Sequence, residues 1–307
     1  MRIIIMGTGG VGGYFGARLA QGGADVGFVA RGEQLAALQE HGLQVESKLG
    51  DIHLPQVRAS EDPAALGPAD LVLIGVKLWD TESAARAIAP IVGPDTAVIS
   101  LQNGVQKDDI LRRVLGDRAV VGGVCYISSK IVRPGVIAQA GTLQKLVFGE
   151  YDGAASPRAQ SFLVACKRGG IDAEISPNIR LAIWEKFVFL TGLSAVTTTM
   201  RSPIGPVRDN PTTRAFLLDI MREVVAVGWA HGVPLKQQFA EGRLAFLDTV
   251  PADITSSMYN DFEQGRRLEV EWLSGGVVEL GKSVGIATPL NRAVNDILAL
   301  HAKGTAK

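Results

Sequence analysis

Residues 1–31 constrain this chain more than any other stretch. Arg2-Ile3-Ile4-Ile5-Met6 is a short apolar run rich in β-branched residues, and Gly7-Thr8-Gly9-Gly10-Val11-Gly12 follows it directly. Gly13 through Ala20 continues with helical spacing, and a second apolar run, Val26-Gly27-Phe28-Val29-Ala30, ends at Arg31-Gly32. The order reads strand, tight turn, helix, strand, which is the context a dinucleotide-binding glycine fingerprint needs. Each glycine then has a physical role. Gly7 permits the sharp turn, Gly9 lets a pyrophosphate approach the backbone, and Gly12 lets the helix pack close to the strand. The phosphates would sit at the helix N terminus, where unpaired N–H groups and the positive dipole end point outward. Gly7, Thr8, Gly9, Gly10, Val11 and Gly12 are accordingly the expected cofactor-binding loop. A glycine-rich turn without a ligand is the alternative.

Arg31 narrows the cofactor. An acidic residue at the end of the second strand would bind the ribose 2′-hydroxyl of NAD. Here the strand ends in Arg31 and Gly32. A guanidinium pairs with a 2′-phosphate through two charge-assisted hydrogen bonds, which favours NADP. An ordinary surface arginine at a strand end is the competing reading.

A length of 307 residues fits two domains. Lysine plus arginine and aspartate plus glutamate are equal at 31 each, so no general attraction to nucleic acid or to an anionic membrane is expected. No window approaches the roughly eighteen unbroken apolar residues of a membrane helix. Cys125 and Cys166 are the two cysteines and form no CxxC pair, so they read as free thiols in a reducing compartment. The N terminus already reads as a structural strand, and no signal peptide is seen. A cytoplasmic location is the expectation. His41, His53, His231 and His301 are scattered, so neither a metal site nor histidine acid–base chemistry is expected.

Further along, 34–40 reads as helix and 43–47 and 52–57 as short strands. The apolar run 71–76 fits a strand buried on both faces of a parallel sheet. Residues 81–91 read as helix, 97–101 as strand, 108–115 as helix and 119–126 as strand. Runs at 136–139 and 143–148 suggest an antiparallel extension, with helix at 161–168 and a last strand at 171–175. This βαβ alternation predicts a doubly wound Rossmann sheet. The composition changes at Ser176-Pro177-Asn178, giving expected domains of 1–176, NADP-binding, and 177–307, helical. In the second half, helices are expected at 179–199, 212–231, 235–250, 269–284 and 289–302, with breaks at 202–206, 231–234, 250–251 and 285–289. That helical half is also a candidate dimer surface.

In an open α/β sheet ligands lie beyond the carboxyl ends of the strands. Lys77 and Asn103 both follow expected central strands, and the Asn103 amide suits a substrate carbonyl or the cofactor. The competing readings are a solvated strand end for Lys77 and a turn residue before Gly104 for Asn103. In the second half, Lys186 lies in Leu181-Ala182-Ile183-Trp184-Glu185-Lys186-Phe187-Val188-Phe189-Leu190. A partly desolvated ammonium gives up its proton more readily, which suits a proton donor near neutral pH. A snorkelling lysine paired with a surface acid stands equally. Ser257 is a candidate for a substrate carboxylate or a helix N-cap. Glu269, at an expected helix start, is a candidate to orient the lysine or bind a ribose, or it pairs with a neighbouring arginine.

Together these residues resemble the ketopantoate reductase (2-dehydropantoate 2-reductase) family over nearly the whole chain. The resemblance rests on Gly7 to Gly12, Lys77, Leu101-Gln102-Asn103-Gly104, Trp184-Glu185-Lys186, Ser256-Ser257-Met258 with Asp261, Glu269, and Thr288-Pro289-Leu290-Asn291. It implies an N-terminal Rossmann domain and a C-terminal helical domain of the 6-phosphogluconate dehydrogenase type, with the active site between them. It further implies that Lys186 is the proton donor and that Asn103 touches nicotinamide and substrate. Lys77 and Glu269 would contact cofactor, and Ser257 substrate. The expected reaction is NADPH-dependent reduction of a 2-oxo acid, the small-molecule partner, to a 2-hydroxy acid.

The chain departs from the family at one wall. Where ketopantoate-reducing members usually carry Asn one and two turns after the lysine, this chain has Leu190 and Ser194, and a further Asn is replaced by Ile204. Residues four apart share a helix face, so Lys186, Leu190 and Ser194 are expected to line one substrate-binding wall. Losing two or three amide hydrogen bonds would cost on the order of 10²-fold in ketopantoate efficiency. A more apolar 2-oxo acid is therefore the expected substrate. A non-catalytic NADP-binding sensor would keep the glycine turn and Arg31 while this wall decays, but the retained Lys186, Ser257 and Glu269 argue against it. An oxidoreductase running in the other direction, on a 2-hydroxy acid or an amine-derived substrate, stands beside these readings.

Overall fold

A computed structural model describes residues 1–305. The first half runs β1 (Arg2–Met6), α1 (Gly10–Gln21), β2 (Asp25–Val29), α2 (Gly32–His41), β3 (Leu43–Ser47), β4 (Ile52–Leu54), β5 (Arg58–Ser60), β6 (Ala69–Ile74), α3 (Thr81–Ile88) and β7 (Val92–Ser100). It continues through α4 (Lys107–Leu115), β8 (Val120–Arg133), β9 (Val136–Gly149), α5 (Pro157–Arg168) and β10 (Asp172–Ile175). The strands form one sheet in the order β4-β3-β9-β8-β7-β6-β1-β2-β5, with β10 also paired to β9. From β5 to β8 every neighbour is parallel. The antiparallel β8–β9 pair then extends the sheet, so it is a Rossmann-like mixed sheet.

The apolar runs of the central strands are buried on both faces. Ile3, Ile5, Leu71, Leu73 and Ile99 pack with Tyr14, Phe15 and Leu19 of α1 and Phe162 of α5. Ile4, Val72, Ile74 and Val98 face the other way, onto Ala85 and Ile88 of α3 and Leu111 of α4. Alternate side chains of one strand thus feed two cores, which explains the unbroken hydrophobic runs.

The second half is helical: α6 (Ile179–Met200), α7 (Ile204–Asp209), α8 (Pro211–Ala230), α9 (Phe239–Leu247), α10 (Ser257–Glu263), α11 (Ser274–Ser283) and α12 (Pro289–Leu298). The long helix α6 is buried without interruption from Thr191 to Thr198, as a central helix must be. Two compact units result. One contains Met1–Asn103 and Lys107–Ala182, and the other Gly104–Gln106 with Ile183 onward. The change of partners falls inside α6, whose Ile179 packs over Gly122 of β8 in the first unit.

Several expected elements differ. The strand expected over 52–57 stops at Leu54, before Pro55, which lacks a ladder N–H. Arg58–Ser60 then joins the far edge of the sheet beside β2. The break expected over 202–206 contains α7. Its prolines fall at Pro203, the N-cap, and Pro206, in the first turn, where a missing N–H is tolerated. Gly205 is needed there because a Cβ would meet Ala252 at 2.6 Å. The helix expected to open at 269 opens at Ser274; before it, the Glu269 carbonyl accepts the N–H groups of Trp272 and Leu273 at 3.0 Å each in a turn. The helix expected from 235 opens at Phe239. The short helix α10 was not expected.

Candidate active site

At the carboxyl end of β1 the glycine turn divides by physical cause. Gly7 has φ +101°, and a Cβ there would meet Val76 Cγ1 at 2.7 Å. A Cβ on Gly12 would run into the Gly7 carbonyl oxygen, and one on Gly10 would meet the Ser129 carbonyl oxygen at 2.5 Å. The fold itself therefore explains these three. Gly9 is different. Its φ of −86° suits any residue, and a Cβ would have nothing within 4 Å. Packing and backbone strain leave this glycine unexplained, whereas an approaching pyrophosphate explains it.

The turn is held in place by backbone. Thr8 N and Thr8 Oγ1 both donate to the Val29 carbonyl at 3.0 Å, and Gln34 Nε2 donates to the Thr8 carbonyl at 3.1 Å. The first helical bond of α1 runs from Gly13 N to the Gly9 carbonyl at 2.8 Å, and no side chain caps the helix. The N–H groups of Gly10, Val11 and Gly12 are thus first-turn donors without an intrahelical acceptor. Such an end accommodates a phosphate anion, so the residues present fit a dinucleotide.

The turn lies where the strand order reverses. β1 stands between β2 and β6, from which the sheet grows in opposite directions. A Cβ on Gly75, just past β6, would meet the Gly7 carbonyl at 3.1 Å, so the two loops abut. Such a switch point is the usual ligand crevice of an open α/β sheet. Arg31, past the end of β2, has an extended backbone and a side chain 79% exposed, with its guanidinium 3.6 Å from the Asp80 carboxylate. That pair ties the β2 end to the turn after Lys77. The Lys77 ammonium lies 5.8 Å from the Trp79 ring centroid.

Asn103 is partly buried, and Gly104 after it takes φ +82°. Between the Lys77 and Asn103 loops lies Gln102, which the sequence reading did not single out. Its Nε2 donates to the Lys77 carbonyl at 3.1 Å and to Thr81 Oγ1 at 2.8 Å, and Ser100 Oγ donates to its Oε1 at 2.9 Å. Gly7 to Gly12, Arg31, Lys77 and Asn103 therefore lie together at the carboxyl ends of β1, β2, β6 and β7.

In the helical unit, Lys186 is partly buried on α6 among the buried Ile183, Trp184, Phe187 and Val188. Burial raises the neighbouring Glu185 carboxyl above its ordinary value, against the opposing charges of Arg243 and Lys236. Leu190 is half-buried one turn on. Ser194 is fully buried, and its hydroxyl has no hydrogen-bond partner among the described residues. Ile204 is fully buried too, its N–H donating to the Ile254 carbonyl at 2.9 Å. Thr197 Oγ1 lies 3.0 Å from Ser256 Oγ, which also caps α10 by accepting from Tyr259 N at 3.0 Å. Ser256 is thus the cap, and the exposed Ser257 is the first helical residue beside it. The Thr197 bond joins this serine pair to the α6 turn that follows Ser194. Glu269 is buried in its turn before α11. The Thr288-Pro289-Leu290-Asn291 motif is architectural, since Glu223 of α8 accepts from Leu290 N at 2.8 Å, Asn291 N at 2.9 Å and Asn291 Nδ2 at 2.7 Å.

A Rossmann-like unit with an open-fronted glycine turn, followed by an all-helical unit, is the architecture of a two-domain dinucleotide-dependent oxidoreductase. Residues 3–153 match the family model for ketopantoate reductase PanE/ApbA, and residues 178–302 match the model for its C-terminal part. The chain belongs to the ketopantoate reductase family. A 2-dehydropantoate 2-reductase from Archaeoglobus fulgidus is 33% identical over 300 residues, covering 97% of this chain and 96% of that protein. A crystal structure of a PanE/ApbA family ketopantoate reductase from Ralstonia eutropha superposes with TM-score 0.89 at 33% identity, covering 98% of each chain. At 21% identity, a D-mandelate dehydrogenase in a ternary structure with NADH and anilino(oxo)acetate shares the fold, with TM-score 0.89 over 98% of each chain.

Proposed function

We propose that this protein is a cytoplasmic, NADPH-dependent reductase that converts a 2-oxo acid to the 2-hydroxy acid. The reaction is that of a 2-dehydropantoate 2-reductase, on ketopantoate as a step toward pantothenate or on a related acid with a more apolar side chain. The observation that carries the reading is Gly9, a glycine that neither packing nor backbone conformation requires, at an uncapped helix N terminus.

The glycine turn and the first N–H groups of α1 would hold the pyrophosphate, and Arg31 would pair with the 2′-phosphate. Lys77 and Glu269 complete the proposed nucleotide contacts. When bound, the reduced nicotinamide supplies the hydride. The Asn103 amide donates a hydrogen bond to the substrate carbonyl oxygen, and Lys186 gives that oxygen a proton as it takes on negative charge. Ser257 holds the carboxylate. Leu190 would present an alkyl group where family members carry an amide, and the buried Ile204 takes the place of a further one, which is why an apolar acyl chain is favoured. A neighbour of the same fold is named for another 2-hydroxy acid and is bound to NADH. Cofactor and substrate choice must therefore rest on this chain's own residues. The sensor alternative finds no support among relatives named as reductases.

The test is steady-state reduction of a panel of 2-oxo acids, with NADPH and NADH side by side. The reading expects NADPH preference and the highest kcat/KM with a 2-oxo acid whose side chain is apolar and carries no hydroxyl. Ketopantoate as clearly the best substrate would remove the shifted specificity while leaving the reductase, and no oxidation of either cofactor would remove the reductase.

A further inference from the structure

We infer that Gln102 is a positioning residue whose buried amide fixes the spacing between the loop carrying Lys77 and the loop carrying Asn103. This rests on the assignment of those two residues to nucleotide and carbonyl. The backbone ladder between β6 and β7 ends at the Ile74–Ser100 pair, followed by one further bond from Leu101 N to the Ile74 carbonyl at 2.9 Å. Lys77 and Asn103 both lie beyond it. The Gln102 side chain continues the cross-connection where the ladder stops. Its Nε2 reaches the Lys77 carbonyl at 3.1 Å and Thr81 Oγ1 at 2.8 Å.

The acceptors themselves are fixed. The Lys77 carbonyl also accepts from Asp80 N at 2.9 Å, closing the turn that follows it, and Thr81 Oγ1 donates to the Leu78 carbonyl at 2.6 Å. On the other side, Ser100 Oγ donates to Gln102 Oε1 at 2.9 Å. The Ser100 carbonyl accepts from the buried ammonium of Lys107 at 2.9 Å, which also donates to the Gly123 carbonyl at 2.9 Å and stands 3.2 Å from Asp108. Tyr151 donates to the same Asp108 carboxylate at 2.5 Å. One hydrogen-bonded spine therefore runs from Gly123 within β8, past the ends of β7 and β6, and finishes at the Lys77 peptide. A glutamine that merely filled space would be disfavoured, since a buried amide is costly unless bonded. This one is bonded to the neighbouring loop.

The test is a double-mutant cycle read by NADPH binding, measured through quenching of intrinsic tryptophan fluorescence. Gln102→Met keeps length and removes all three side-chain bonds. The expected result is an NADPH Kd about tenfold higher, with Lys77→Ala costing several-fold less in the Gln102→Met background than alone. In the cofactor-free protein, amide exchange at Asp80 should accelerate, because its acceptor is released. An equal cost of Lys77→Ala in both backgrounds, or an unchanged Kd, would overturn the inference. If Gln102→Met fails to fold, Thr81→Val removes one acceptor and carries the same cycle with the same criterion. If Lys77→Ala and Asn103→Ala in the otherwise native protein change neither NADPH binding nor turnover, the nucleotide assignment itself falls and takes this inference with it.

Discussion

On the proposed reading, the glycine turn after β1 and the partly buried stretch of α6 around Lys186 and Leu190 carry function in opposite ways. In the turn, function resides in backbone and in the absence of side chains. Gly7, Gly10 and Gly12 are set by internal packing, so the same geometry that closes the fold also builds the proposed anion site. On α6, the proposed function resides in side chains. Leu190 in place of an amide costs the helix nothing, because leucine is a better helix former than asparagine. On that reading, cofactor binding is constrained by folding, whereas substrate choice is free to drift along α6.

The sharpest break of that contrast is Lys186→Ala. If chemistry depends on one side chain of α6, turnover should fall by roughly 10²–10⁴-fold. NADPH affinity and thermal stability should stay near native values. A loss confined to KM, measured by initial rates, would move Lys186 out of the proton-donor role.

Within the turn, two alanine substitutions separate ligand from fold. Gly12→Ala drives a Cβ into the Gly7 carbonyl, and overpacking of this kind costs about 1–3 kcal/mol of stability. Gly9→Ala meets nothing in the protein, so its melting temperature should match the native one. The new methyl would occupy the approach of the pyrophosphate, weakening NADPH binding by about tenfold to a hundredfold. Calorimetry and NADPH titration of the two variants read this directly. An unchanged Kd for folded Gly9→Ala would leave the turn without its ligand.

A smaller effect is expected at the α6 wall. Leu190→Asn returns one amide, worth about 0.5–1.5 kcal/mol net. The ratio of kcat/KM for ketopantoate over an apolar 2-oxo acid should rise by about tenfold or somewhat less. A ratio that does not move would show that position 190 does not face the acyl chain.

The same contrast explains what could be read from the chain. The β1–turn–α1–β2 segment was legible because its glycines mark backbone positions and its apolar runs have clear periods. The helices α7 and α10 were not. Pro203, Gly205 and Pro206 read as a break, although both prolines fall where a helix start tolerates them. The seven-residue α10 is too short to show a period, and its cap, Ser256, carries the bond that Ser257 alone was considered for. Lys186, Leu190 and Ser194 could be placed on one face from spacing alone. That Ser194 is fully buried could not be read, because it depends on the helices packed around α6. Gln102 and Lys107 resemble surface residues in composition, and their roles rest on partners far away in sequence, such as Lys77 and Gly123.

The finest expected effect sets one carboxylate of each compact unit against the other. Burial alone would raise Glu150, but hydrogen bonds from Arg158, with Oε1 2.8 Å from Nε, and from Ser156 hold its carboxyl below the ordinary value. Glu185, beside Lys186, is raised by burial, and Arg243 and Lys236 only partly offset it. The signs follow by linkage. Glu150 contributes stability above its unfolded pKa, and the contribution is lost as pH falls through its lower folded value. Glu185 favours the fold only when protonated, and that contribution is lost as pH rises through its raised folded value. At neutral pH, Glu150→Gln should lower stability, and with it the melting temperature, and Glu185→Gln should raise it, each change being about 1 kcal/mol or less after solvent screening. The Glu185 difference should vanish below the ordinary glutamate range, and the Glu150 difference only below its lowered folded value. Melting curves at neutral and acidic pH decide it: equal shifts of the same sign would mean that the two regions do not differ in how they treat a buried charge, and that α6 holds Glu185 as comfortably as the sheet holds Glu150.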